Sequence, residues 1–460
     1  MPQRDQLTRF AAVLEHYQGF PDWQAEQRSQ RSTQLFLLGE RAALPPVQVE
    51  TRRVVATSSV QLQVFNDHPP RNAQPETPLA RGSTKRVLLE EEINDPTQLA
   101  YSLEEMAFIA GLIDNPSYIL PAPPANGYPT VATSDPALAR SDKARAQAVN
   151  EVRERLLAAI AHEPGITLSS AELFATSNDI AFRNSRGIQA SRSETSLFCD
   201  LVLLAHAGTQ VAEYHTAPER RRLDDLPIED IVRRAASYAR DTLRTQPTPT
   251  HAGPVVISGE ALVDLFSPLI FHTSAQAAYQ GISRFTPGAS IYGEQVVTGD
   301  RLTLFSSALL PYGLASAPFD ADGIPGQRVL LIEDGMFKAP WAEQRYADYL
   351  HIPPTGSFAN LEIAPGNHTL HDLLHSDGPV YHLVAFAWLN PDDLTGDFVA
   401  EIKLGYRIEH GQIIPIKGGS LSGNLFEALA EARFSRETQF TGSYLGPKAL
   451  RLESLTISGA

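Results

Sequence analysis

Between residues 167 and 214 the chain alternates apolar and polar side chains with period two, through FATSNDIAFRNSRGIQASRSETSLFCDLVLLAHAG. Period-two alternation suits a half-buried strand and no other regular element. The run is broken at Asn184-Ser185-Arg186-Gly187, a turn composition, so two strands joined by a turn are predicted. Helical spacing takes over on either side. Ala148, Val149, Val152, Leu156, Leu157 and Ile160 recur at three and four before Pro164-Gly165, and Ile228, Ile231, Val232, Ala235, Ala239 and Leu243 form a second stripe after Asp225 and Pro227.

At 460 residues the chain exceeds what one hydrophobic core usually serves. The segment TQPTPTHAGP at 245–254, rich in proline and small polar residues, is the natural boundary. Two domains are expected, 1–245 and 254–460. In the first, Leu7, Phe10, Val13, Leu14 and Tyr17 mark an opening helix, and VETRRVVATSSVQLQVF reads as strand. Residues 69–86 read as a long exposed loop. Ser102 and Glu105 make a capping box for a short helix ahead of Met106. In the second domain, VVIS at 255–258 is a strand and residues 260–280 are largely helical apart from Pro268. Asp334-Gly335 and His410-Gly411 separate apolar or alternating runs and predict tight hairpins, and a last helix is expected over 425–433. The fold class is therefore α+β: an N-terminal domain of mixed sheet and helix, then a mainly antiparallel β domain with a long helix.

Charge and cysteine narrow the function. A formal net charge of -15 repels phosphate backbones and anionic lipid, so neither nucleic acid nor a membrane surface is an expected partner. Arg220, Arg221 and Arg222, set among Glu219, Asp224 and Asp225, read as a solvated patch. The one cysteine, Cys199, sits in an apolar run, so neither a disulfide nor a cysteine metal cluster can be built. A reducing, cytoplasmic setting is expected, with no export signal in the first residues and no run of apolar residues long enough for a span.

Two clusters could carry chemistry. His368, His371 and His375 lie close together, and the last two, at i and i+4, would share one face of a helix, a zinc-ligand spacing. The plainer reading is a short helix capped by Thr369 and Asp372 on which the histidines fall. Asp320 and Asp322 in FDADG read as a glycine-closed turn, since the further ligands of a calcium loop are absent.

The order of several further segments is specific. NPSYILPAP, NSRG, IEDIVRRAASYARDTL, GPVVISGEAL, GLASAPFDADGIPGQRVLLIEDGMFK, PTGSFANLEIAPG and GGSLSGNLFEAL follow one another over roughly residues 100–460. In this order the chain resembles the TldD/PmbA (TldD/TldE) metallopeptidase family, and looks closer to the TldE (PmbA) branch. Residues 22–100 match poorly, and GPVYHLVAFAWLN replaces a more glycine-rich stretch. The TldD branch carries His-Glu-x-x-x-His on a helix and a later cysteine, ligands suited to zinc and a glutamate suited to moving a proton. Laid on that motif, HTSAQAAYQG gives His272, Thr273 and Ala277, and QFTGSYLGPKAL gives Ser443 and Tyr444 where the thiol would lie.

The resemblance thus implies a non-catalytic TldE-like subunit that binds no metal itself. A TldD-type partner would hold zinc, and the heterodimer would act on extended, unfolded peptides in precursor processing and proteolysis. From the family pattern, Asn184, Ser185, Arg186, Gly187, Thr355, Gly356 and Asn360 are the substrate or interface candidates. A stand-alone homodimeric peptide-binding adaptor is the alternative, and an independent metalloenzyme using His368, His371 and His375 is the second.

Overall fold

In the computed structural model, residues 4–39, 47–71, 74 and 76–460 are described. The first sheet is antiparallel throughout and contains β1 (Asp22–Gly39), β2 (Val47–His68), β3 (Ala80–Leu89), β4 (Ile166–Asn184), β5 (Gln189–Ala207), β6 (Gln210–Thr216) and the short β7 (Glu219–Arg220). Its order is β3-β2-β1-β4-β5-β6, with β7 beside β5. The strands are long: β1 has 18 residues and β4 and β5 have 19 each. Two helix pairs therefore serve one face. Trp23 and Ala25 of β1 pack in the cluster that contains Leu7 and Phe10 of helix Arg4–His16 and Leu103 and Met106 of helix Pro96–Ala110. At the other end of the same strand, Leu35 and Leu37 join Val152 and Leu156 of helix Asp142–Ala161 and Ile231 and Val232 of helix Ile228–Thr242. All four β1 residues have odd numbers and so share a face.

The second half supplies two further sheets. Strands Val380–Pro391, His251–Ser258, Ala449–Ser458, Ser420–Asn424 and Asp397–Glu409 pair in that order, and the last pairs back with the first, which closes a five-stranded ring. Closure removes most free edges. Gln412–Lys417 and Gln246–Pro247 extend the ring as a flap. The remaining sheet runs from Met336–Phe337 through Arg328–Glu333, Leu304–Ser307, Asn360–Ile363 and Tyr444–Pro447 to Thr438–Thr441. One buried cluster, from Val255 to Ile457, serves both sheets.

The mixed α+β character matches the sequence reading, and both predicted hairpins form. Asp334-Gly335 and His410-Gly411 have φ of 47°, 76°, 49° and 75°, the left-handed pairs that a two-residue hairpin needs. Several expectations are corrected. β3 begins at Ala80, so the loop over 69–86 is shorter than read. The helix expected at Ser102 starts at Pro96, capped by Asp95, whose carboxylate accepts from the Thr97 and Gln98 amides; Ser102 is buried mid-helix and donates to Glu92. Helix Ile228–Thr242 has Pro227 at its N-cap, with no side-chain cap from Asp225.

In place of one long helix, residues 260–280 form three short ones, Ala261–Leu265, Ser267–His272 and Ala275–Tyr279. Pro268 occupies the first turn of the second, and Ser274 caps the third. The last helix ends at Ala428 and continues as a 3-10 turn to Glu431, and Arg433 already belongs to a strand. The arginine patch is only partly solvated. Arg221 is buried and its guanidinium donates to the Gly313, Leu314, Ser316 and Thr133 carbonyls and to Glu194 at 3.0 Å. It ties the first sheet to the loop that joins Leu304–Ser307 to Arg328–Glu333 in the third. None of the helices among the described residues is long and apolar enough to cross a membrane.

Candidate functional site

His272 ends the helix Ser267–His272 and is buried. Its Nε2 is 2.9 Å from the Leu394 carbonyl and its Nδ1 accepts from the Arg284 amide at 3.1 Å, which fixes the proton on Nε2. Phe271, Phe285 and Phe426 surround the ring. Burial holds its pKa below the ordinary histidine range, against the pull of the Leu394 carbonyl. The Thr273 hydroxyl donates to Leu269 at 2.8 Å, and Ala277 is fully buried. Near the chain's end, the buried Tyr444 hydroxyl donates to the Pro447 carbonyl at 2.9 Å, and the Ser443 carbonyl accepts from Leu361. This donor set does not fit zinc: the one imidazole has both nitrogens committed to the backbone, and no carboxylate or thiolate stands at the neighbouring motif positions.

The Thr355–Asn360 loop lies on one side of the Asp320–Gly323 turn, and Phe182 and Ile188, which flank the NSRG turn, lie on the other. Asn184 Oδ1 accepts from the Arg186 and Ile188 amides, its Nδ2 donates to Pro121, and the Ser185 hydroxyl donates to Asp22 at 2.6 Å. Gly187 holds φ +92°, so the turn is built for shape. From the other side, Thr355 accepts from Ala342, and Gly356 lies against Asp320, whose Oδ2 accepts from the Ser357 amide at 3.0 Å. Asn360 is fully buried and bridges Ser307, Ser316 and Ala315. Asp320 Oδ1 accepts from Asp322 and Ile324, as a glycine-closed turn requires. Burial, with Asp322 close by, pushes the Asp320 carboxyl up to about 6. All seven positions thus make hydrogen bonds within the scaffold, and none of them lines the cleft described below.

The histidine group also disperses. Thr369 and Asp372 form the expected capping box, but the helix spans only Leu370–Leu373, so His375 lies beyond it. The His371 side chain is 91% exposed, and the His375 carbonyl accepts from Arg451. Among the described residues no three His, Cys, Asp or Glu side chains converge as metal ligands.

Elsewhere a cleft of about 1420 Å³ opens between β6 with helix Ile228–Thr242 and the strand Val380–Pro391. β6 is the last strand of its sheet, so among the described residues one ladder of its backbone groups has no strand partner. Facing it, Val380–Pro391 pairs with His251–Ser258 only through Leu383, and its register against Asp397–Glu409 slips at three successive places. Val384, Lys403 and Ala387 are the residues left without partners, and all three line the cleft. Such bulges bend a strand and re-aim its side chains. Trp388 is 48% exposed there, with its indole nitrogen donating to Glu401 at 3.1 Å. Ser258 Oγ and His382 Nε2 are 2.8 Å apart in the same wall. Burial lowers the imidazole pKa to about 4, and among the described residues no carboxylate binds its other nitrogen, so the pair lacks the orienting group of a nucleophilic triad. What the cleft offers is main-chain pairing and a half-apolar wall for an extended chain.

No local signal exposes this cleft in the sequence, because its walls come from residues 210–243 and 258–448. The slips that shape it are invisible to periodicity.

Residues 250–459 match the PmbA/TldA metallopeptidase C-terminal domain. An uncharacterized protein of Methanocaldococcus jannaschii is 26% identical over 58% of this chain and 64% of its own length. Metalloprotease PmbA of Escherichia coli O157:H7 is 26% identical over 53% of this chain and 54% of its own length. The chain thus spans less than two thirds of either relative. The crystal structure of TldE from Thermococcus kodakarensis superposes with a TM-score of 0.77 at 17% identity, covering 99% of this chain and 100% of that one. Over residues 250–459 this chain therefore carries the C-terminal domain of the PmbA/TldA metallopeptidases, and along its whole length it shares the fold of the TldE structure.

Proposed function

We propose that this protein is a non-catalytic, TldE-like subunit that presents extended peptides to a zinc-bearing TldD-type partner in the cytoplasm. One observation carries the non-catalytic part: both ring nitrogens of His272 bond the backbone, while Thr273 and Ala277 stand where a proton-transferring carboxylate and a second ligand would be needed. The chain then contributes binding rather than bond cleavage. The unpaired ladder of β6 supports the peptide part, since a free strand edge gives affinity through main-chain hydrogen bonds with little demand on side chains. Folded proteins have few free extended segments, so access would select unfolded ones.

Co-expression with a chain bearing His-Glu-x-x-x-His tests the partnership. A stable complex that cleaves an unstructured peptide, beside an inert isolated chain, is the expected result. A homodimer that ignores such a partner yet binds peptides would favour the adaptor reading instead. Zinc-dependent hydrolysis by this chain alone would reject the non-catalytic role.

A further inference from the structure

The cleft carries a charge pattern that differs from the rest of the molecule. The chain has a net charge of -15 and only six lysines, yet three of them, Lys403, Lys417 and Lys448, line this one concavity with Arg220 and Arg234. Elsewhere many cations sit in ion pairs, as Arg155 does with Glu229, Arg328 with Glu362 and Lys338 with Glu333, although among the described residues Lys85 and Lys143 do not. Among the described residues no ion pair joins any of the five cleft cations to a carboxylate.

Two of them stand beside one side chain of the free edge, and Arg220 is next to the second. Lys403 Nζ lies 5.9 Å from the ring centroid of Tyr214 in β6, and Arg234 is close enough to act on both Tyr214 and Arg220. Burial lowers the Arg220 pKa, Glu260 opposes this, and Arg234 adds a smaller lowering of its own. Lys403 is also one of the bulged residues, so the slip in register sets its direction. The lining also holds four carboxylates, Glu213, Glu260, Asp264 and Glu401, which answer the five cations only in part. Glu401 accepts from Trp388, and Asp264 is held above the usual carboxylate range by burial and by Glu260 beside it.

An extended strand laid along β6 would bring alternate side chains past this group. We propose that the cleft selects acidic extended peptides, whose Asp and Glu carboxylates settle against Arg220, Arg234 and Lys403. This inference rests on the peptide reading above and adds a substrate class to it.

The test is fluorescence anisotropy on the full chain with three labelled, unstructured peptides that differ only in carrying Glu, Gln or Lys at alternate positions. Their ends are acetylated and amidated, so terminal carboxylates play no part; a free-acid version of the Gln peptide shows what a chain terminus alone contributes. The Glu peptide is expected to bind about tenfold tighter than the Gln peptide at low ionic strength, with the gap narrowing as salt rises. The double variant Arg234→Glu/Lys403→Glu, checked for folding by circular dichroism, should invert the order so that the Lys peptide binds best. Equal binding of the Glu and Gln peptides, tighter binding only with the free terminus, or an unchanged order in the folded variant would overturn the inference and leave the peptide reading standing. Binding of none of them would overturn both.

Discussion

Replacing Arg221 with methionine should destabilise the protein by about 4 kcal/mol. The guanidinium is buried, with its side chain 4% exposed, and it reaches one carboxylate and four carbonyls belonging to both halves of the chain. Methionine keeps the stem but leaves Glu194, 15% exposed, without its partner, and removing one member of a buried pair costs roughly 3–5 kcal/mol. The orphaned carbonyls add to this, and partial relaxation offsets some of it, so about 4 kcal/mol is the working figure. Unfolding entropy of about 2.1 cal/mol/K per residue gives roughly 1 kcal/mol/K for a chain of this size unfolding as one unit, hence a Tm lowered by about 4 °C. The fall should be larger if the halves unfold separately. Differential scanning calorimetry measures it. Arg222→Met is the control: that side chain is 33% exposed and sits 3.5 Å from Asp224 and Asp225, so its loss should cost under about 0.5 kcal/mol. Indistinguishable Tm values for the two variants would refute the view of Arg221 as a clamp between the halves.

Three further outcomes follow from particular sites. Gly323 holds φ +83°, and a Cβ there would lie 2.8 Å from Phe182 and 2.9 Å from Ile188, so Gly323→Ala should cost about 2–3 kcal/mol in thermal unfolding. The Asp320 carboxyl has a folded pKa of about 6 against 3.8 when free, so the folded state binds the proton more tightly and stability from this group falls as pH rises from about 4 to 6. The cost of Asp320→Asn should therefore be larger at pH 4 than at pH 7 by about 2 kcal/mol, and a pH-independent cost in urea titrations would contradict the assignment. Burial pushes the Cys199 thiol up to about 12, so a thiol reagent should label it only on unfolding, and rapid labelling of the native chain would show the strand open.

Much of the architecture could be read because local and global signals agreed. β4 and β5 alternate cleanly about Asn184–Gly187, and the Asp334-Gly335 and His410-Gly411 turns need residues that accept positive φ. β1 escaped because its buried face carries polar side chains along the middle: Gln27, Ser29 and Thr33 are buried between the two helix pairs. Hydrophobic periodicity cannot register such a strand. Ser102 misled because a capping pattern inside a helix looks the same as one at its start, whereas the Asp95-Pro96 pair combined a side-chain cap with a residue suited to the first turn. The long helix failed at Pro268 and Ser274, where a break satisfied the backbone locally. At the candidate site, the absence of motif ligands was readable residue by residue. The cleft was not, since it arises where two distant segments and three bulges meet.

The most direct measurement compares hydrolysis of an unstructured acidic peptide by the isolated chain and by a reconstituted mixture with a TldD-type partner, each with and without zinc. Cleavage only in the mixture, lost when the partner's His-Glu-x-x-x-His is altered and unchanged by His272→Gln at a temperature where that variant stays folded, is the predicted result. Cleavage by the isolated chain that zinc supports and His272→Gln abolishes would contradict the account.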